Sequence, residues 1–108
     1  MSQPEARLGR EIQKACKARG CFVFKVHGGP TMMVGLPDQI MCYRGRFVAM
    51  EVKMPTGKTT KIQERRIAEI KAAGGHAFVV RSVEDAMDAL DDVDAFLRGE
   101  LPASAESA

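Results

Sequence analysis

Cysteine and histidine are scarce in this 108-residue chain, and long apolar runs are absent. Its three cysteines, Cys16, Cys21 and Cys42, are odd in number and show no Cys-x-x-Cys spacing. That argues against a disulfide framework and a cysteine zinc site. It predicts small core residues kept reduced. His27 and His76 stand alone, so no His-based metal cluster is expected. No apolar stretch reaches the ~18 residues of a membrane span. The opening MSQPEARLGREIQ is polar and lacks the apolar middle of a signal peptide. A soluble, cytoplasmic protein is expected. There is no internal repeat and no linker rich in Gly, Ser or Pro, so the length is read as one domain.

What is present begins with an uneven charge. The net charge of +2 conceals a basic body and an acidic end. Residues 1–81 carry 15 Lys and Arg against 6 Asp and Glu, a net +9. Residues 82–108 carry 1 against 8, a net −7. A polyanionic partner for the body is one reading, and a solvated surface with chance clustering is the other.

Periodicity gives the order αβββαβα. Leu8, Ile12, Ala15 and Cys16 share one side of a helix over 3–19, ended by Gly20. CFVFKV (21–26) is a strand apolar on both faces, and HGGPTMMVGLP (27–37) is a loop. DQIMCY (38–43) and FVAMEVK (47–53) flank Arg44-Gly45-Arg46 as a hairpin. MPTGKTT (54–60) is a second loop, and a helix over 61–73 follows, capped by Thr60 and stopped at Gly74-Gly75. HAFVV (76–80) is a strand apolar on both faces, and Ser82 caps a last helix with the stripe Val83, Ala86, Met87, Leu90, Val93. The domain is placed at 1–98, and the tail from Gly99 is expected to be disordered. Strands with two buried faces need helices on both sides, which gives a three-layer α/β domain with a mixed sheet.

The chemistry collects at one end of the hairpin. Residues two apart on a strand share a face, so Glu51 and Lys53 project together. A turn near Gly45 brings Asp38 opposite about position 52, give or take one residue, and so beside Glu51. Two carboxylates and a lysine on an apolar sheet are costly if merely buried. Together they suit a hard divalent cation such as Mg²⁺ or Mn²⁺, with the Val52 carbonyl as a further oxygen. Lys53 is then placed to orient water or balance phosphate charge. The alternative is an exposed hairpin with an ordinary Glu–Lys pair.

Pro37-Asp38 followed by Glu51-Val52-Lys53 is similar to the PD-(D/E)xK nuclease motif. The wider pattern resembles the VRR-NUC family of small phage and bacterial nucleases. It comprises a helix with an early Glu, a Gly-rich loop, GLPD, EVK, a basic loop, a Gln opening a helix, and GGHAFVV, over about residues 5–90. The resemblance implies a restriction-endonuclease-like core and metal-dependent hydrolysis of DNA phosphodiesters. It also implies relatedness to archaeal-type Holliday-junction resolvases, which act as homodimers. A bacterial or phage-infected cytoplasm is then the expected setting, and branched duplex DNA the expected partner, with no organic cofactor.

Supporting residues follow, each with its plainer alternative. Glu5 lies within the apolar stripe of the first helix and is a candidate metal ligand, direct or through water. The resemblance places the family's helix Glu there, while Ser2-x-x-Glu5 also reads as a capping box. Glu11 is the weaker candidate, because resolvases carry this Glu later. Gln63 faces inward beside the catalytic edge, where it can hold a water, Lys53 or a phosphate. Thr60-x-x-Gln63 is equally a capping box. Lys58, Lys61, Arg65 and Arg66 surround the second loop and are expected to meet phosphates, with Arg44 and Arg46 at the hairpin turn as further candidates. His27, Gly28 and Gly29 are read either as a mobile loop over the site or, for Gly28 and Gly29, as plain turn formers, the second being preferred. Arg81 is assigned to surface solvation. Phe96 and Leu97 lie beyond the compact pattern and can cover a dimer partner. A metal-dependent endonuclease selecting four-way junctions is the leading expectation. A nickase or flap nuclease, or a DNA-binding accessory protein with a vestigial site, are the alternatives.

Overall fold

Gly20, at φ 102°, ends the first helix in a conformation that side chains disfavour and turns the chain into the sheet. In the computed structural model, which describes residues 3–100, that helix is α1 (Gln3–Ala18). It is followed by β1 (Phe22–Lys25), β2 (Gln39–Tyr43), β3 (Arg46–Val52), α2 (Lys61–Ala72), β4 (His76–Val80) and α3 (Val83–Leu97). The order αβββαβα is the expected one. Most of the tail expected to be disordered, and Ser2 of the first capping box, lie outside the described residues.

The strands form one sheet in the order β1-β2-β3-β4. The first three are antiparallel, and β4 joins β3 in parallel after α2. The hairpin turns on Arg44 (φ 50°) and Gly45 (φ 80°) alone. Both are left-handed, as a two-residue turn matched to strand twist requires. Arg46 therefore belongs to β3, opposite Tyr43, and not to the turn.

α1 and α3 cover one face of the sheet. Ile12 and Cys16 of α1 and Ala86, Leu90 and Val93 of α3 are buried against Val23, Met41, Val48, Met50, Val52 and Val80. The stripe predicted for α3 is therefore core. Asp94 stitches the far end of this layer. It accepts hydrogen bonds from Arg19 (2.9 Å), Arg44 (2.7 Å) and Tyr43 (3.1 Å). The Arg44 bond, above all, holds its carboxyl below the usual carboxylate range.

The opposite face departs from expectation. α2 packs there against β4 but buries none of its residues fully. The β1 side of the sheet stays open, with Phe22 73% and Phe24 48% exposed. CFVFKV is apolar on both sides, yet one short helix cannot span four strands. Cys42 lies on this open face between Phe22 and Phe47, so it is exposed rather than part of the core. Cys16 and Cys21 are buried as expected, and burial pushes the Cys16 thiol up to about 12. No helix among the described residues is long and apolar enough to cross a membrane.

Candidate active site

Pro37 is buried and aims the chain into β2. The Asp38 carbonyl accepts the Val26 N–H at 2.8 Å, which ties the residue to the end of β1. In the β2–β3 ladder Gln39 pairs with Met50, so Asp38 falls opposite Glu51. Its carboxylate turns onto the end of β3, where Oδ2 accepts the Val52 N–H at 2.9 Å. The expected register holds to within the one residue allowed.

Glu51 is only 2% exposed. Its Oε2 accepts from Gln63 Nε2 at 3.3 Å and lies 3.6 Å from Lys53 Nζ. Its Oε1 is buried with no hydrogen-bond partner. Burial pushes this carboxyl up to about 8, and the neighbouring Asp38 charge adds to the effect while Lys53 opposes it. An orphaned buried oxygen costs roughly 1–3 kcal/mol. The pair is thus poised to take up positive charge. Lys53 is fixed at its backbone by a 3.0 Å bond from its N–H to the Val80 carbonyl.

Gln63 resolves its two readings by using both ends of one amide. Oε1 accepts the Thr60 N–H at 2.9 Å, and Thr60 Oγ1 accepts the Gln63 N–H at 3.2 Å, completing the capping box. The same side chain then presents Nε2 to Glu51. Gly35, in GLPD, allows α2 to come this close. It has φ 84°, and a Cβ there would sit 2.8 Å from Ile62 Cγ1 and 3.0 Å from the Ile62 backbone. A Cβ on Gly28 or Gly29 would meet nothing within 4 Å, and the turn itself falls just after them, at Pro30 and Thr31, closed by the bond from the Met32 N–H to the Gly29 carbonyl at 3.1 Å.

The remaining candidates divide. Lys58, Lys61 and Arg65 are exposed around the start of α2. Arg66 is engaged, donating to the Val34 carbonyl at 2.9 Å and to Glu69 at 2.8 Å. Arg44, at the turn, is ion-paired with Asp94 at the opposite end of β3 from Glu51. Arg46 donates to the Gly74 carbonyl and stacks on Phe96, its guanidinium 4.7 Å from the ring centre. Glu5 is half-buried on the first turn of α1, and Glu11 is exposed. Among the described residues no group of three or more His, Cys, Asp or Glu is arranged to hold a metal ion. The acidic pair at this edge is Asp38 and Glu51.

Two residues acquire roles that sequence reading did not give them. Arg81, expected to be solvating the surface, donates through Nη1 to the carbonyls of Met54 (2.8 Å) and Gly57 (2.7 Å). Gln39, next to Asp38, is 2% exposed, and its Nε2 donates to the Gly9 carbonyl at 3.4 Å. The only sequence signal for Gln39 is a polar residue at an inward strand position. For Arg81 there was none, because its partners are backbone atoms.

No protein-family model matches the sequence, and no curated protein does. Solved structures do match. One described as a VRR_NUC domain has a TM-score of 0.70 at 24% identity, over 83% of this chain and 97% of that one. A VRR_NUC domain protein has a TM-score of 0.69 at 16% identity, over 82% and 85%. Hjc of Archaeoglobus fulgidus, a Holliday junction resolvase from an archaeal hyperthermophile, has a TM-score of 0.58 at 18% identity, over 71% and 67%. The mixed four-stranded sheet with its flanking helices is therefore a restriction-endonuclease-like core, similar to that of VRR_NUC domain proteins and an archaeal resolvase.

Proposed function

We propose that this chain is a divalent-metal-dependent endonuclease that hydrolyses DNA phosphodiester bonds and selects DNA by shape, with four-way junctions as the leading substrate. The observation that carries the reading is Glu51. A carboxylate is buried opposite a second one, with a lysine beside it and one oxygen unpartnered. Stability alone gives no reason to retain such a group. The likeness to VRR_NUC domains and to a Holliday junction resolvase supports DNA as the substrate.

The donor set fits a hard cation, Mg²⁺ or Mn²⁺, because it is all oxygen and carries excess negative charge. Asp38, Glu51 and the Val52 carbonyl would hold the ion, and Glu5 would join through water. When bound, it supplies Lewis-acid stabilisation of charge developing on phosphate oxygens and lowers the pKa of a water. The chain's own groups do the rest. The Val52 N–H orients Asp38, and Gln63 holds Glu51 by Oε2, leaving Oε1 available. Lys53 orients the attacking water or balances phosphate charge. In-line attack breaks the bond from phosphorus to the 3′ oxygen, leaving a 5′-phosphate and a 3′-hydroxyl. Lys58, Lys61 and Arg65 meet flanking phosphates, helped by the amides that open α2. Arg65 and Arg66, both paired with Glu69, act there by exchanging it for DNA, and Arg44, at the far end of β3, would meet a more distant stretch of backbone once freed from Asp94.

A homodimer is part of this reading. The open sheet face, with Phe22, Phe24 and Phe47 at 73%, 48% and 48% exposure, supplies apolar surface for a second copy. Two copies would present two sites to two strands. Sedimentation equilibrium should give a dimer that Phe22→Ser with Phe47→Ser dissociates.

Gel assays with Mg²⁺ or Mn²⁺ on junction, flap, nicked and linear duplex DNA test the function. Junction cleavage abolished by Asp38→Ala is expected. Preference for flaps or single nicks would select the nickase or flap reading of the same chemistry. Wild-type cleavage no greater than that of Asp38→Ala would leave a DNA-binding accessory protein.

A further inference from the structure

The reverse turn that follows the EVK segment is closed by a bond from the Gly57 N–H to the Met54 carbonyl at 2.9 Å. Arg81 reinforces it, donating Nη1 to the Met54 carbonyl at 2.8 Å and the Gly57 carbonyl at 2.7 Å. Charge-assisted bonds of this kind are about twice as strong as neutral ones. The clasp sits directly against the site. A Cβ on Gly57 would lie 3.7 Å from Lys53 Cδ, so the turn borders the lysine stem at about one methyl's reach. Val80, the residue before Arg81, accepts the Lys53 N–H. Arg81 is itself placed from behind, because its N–H donates to Asp85 Oδ2 at 2.8 Å and Asp85 N–H donates to Ser82 Oγ at 2.9 Å. The capped first turn of α3 thus sets Arg81, Arg81 sets the turn, and the turn confines Lys53.

We infer that Arg81 is a positioning residue, holding the 54–57 turn so that the Lys53 ammonium stays beside Glu51. The inference rests on the proposed nuclease chemistry for its effect on rate, though the clasp itself does not. Lysine has four flexible carbons, and a short misplacement of a reacting group can cost about a hundredfold in rate. A wall along the stem therefore acts on turnover more than on DNA affinity.

The test uses the full chain with Arg81→Met, Arg81→Lys, Lys53→Met and the Arg81→Met/Lys53→Met double variant. The readouts are steady-state cleavage of labelled branched DNA in Mn²⁺ and amide hydrogen exchange without DNA. Arg81→Met should lower kcat about tenfold or more with KM changed less than about twofold. Arg81→Lys, whose ammonium can reach both carbonyls, should recover most of that loss. The double variant should be no slower than Lys53→Met alone, because a residue acting through Lys53 has nothing left to position. Exchange at residues 53–58 should quicken in Arg81→Met and stay near the wild-type rate in Arg81→Lys, while α1 and β2 keep wild-type rates in both. Additive losses in the double variant, a KM effect alone, or unchanged exchange at 53–58 would overturn the inference. If Arg81→Met does not fold, Arg81→Gln, which keeps a polar side chain but lacks the charge and reach for both carbonyls, takes its place in both readouts. If the wild type cleaves no DNA, the nuclease reading fails, and the exchange result still judges the clasp.

Discussion

Gln63 and Glu51 meet across two elements, Nε2 to Oε2 at 3.3 Å, while the other end of the Gln63 amide caps α2. One side chain therefore couples helix initiation to the buried carboxylate. Gln63→Glu separates the two tasks. The new carboxylate can still accept the Thr60 N–H but has no donor for Glu51. We expect thermal stability to stay within about 1 kcal/mol, the scale of a cap, while DNA cleavage falls at least tenfold. Gln63→Ala should lose both. Thermal melts beside cleavage assays distinguish these outcomes.

Glu51 predicts a pH dependence of stability in metal-free protein. Its carboxyl is raised from 4.5 to about 8 in the folded state. Between those values the folded chain retains a proton that the unfolded chain has lost, so stability falls as pH rises through this window and levels above it. Glu51→Gln should flatten that slope and exceed wild type above pH 8, by on the order of a few kcal/mol. Urea unfolding in EDTA from pH 4.5 to 9 measures it. Equal slopes for both proteins would show that Glu51 ionises normally.

A divalent cation should reverse that deficit. If Asp38 and Glu51 hold it, millimolar Mn²⁺ at pH 8 should raise the wild-type Tm and leave Asp38→Asn with Glu51→Gln unmoved. A hundredfold excess over Kd is worth about 2.7 kcal/mol. Calorimetry without DNA reads this independently of catalysis. Equal Mn²⁺ stabilisation of both proteins would place the ion elsewhere.

Gly35 predicts a cost that reaches the site from a loop. At φ 84°, with the Ile62 backbone 3.0 Å from any added Cβ, Gly35→Ala must strain the loop or displace the start of α2. We expect roughly 1–3 kcal/mol of destabilisation and a larger fractional loss of cleavage than the melt alone explains, because Gln63 moves with that turn. Gly28→Ala, where a Cβ meets open space, should be silent in both assays.

The sequence by itself determined the elements and the pairing that matters. Two apolar strands around a tight turn at Arg44-Gly45-Arg46 set the register to within one residue. That is enough to carry Asp38 beside Glu51, because strand geometry converts a count of residues into a position in space; the structure then narrowed the turn to Arg44-Gly45. Helix caps at Thr60 and Ser82 were legible for the same reason: their bonds are local. The tertiary structure decided everything that depends on which surfaces a neighbour happens to cover. It left Phe22, Phe24 and Cys42 open where α2 does not reach, although an apolar letter looks the same on either face. It drew Arg66 to a carbonyl of the first loop and Arg44 to Asp94, and it made Arg81 a clasp on backbone oxygens. A carbonyl is present at every residue, so no side-chain pattern announces which of them a distant guanidinium will find.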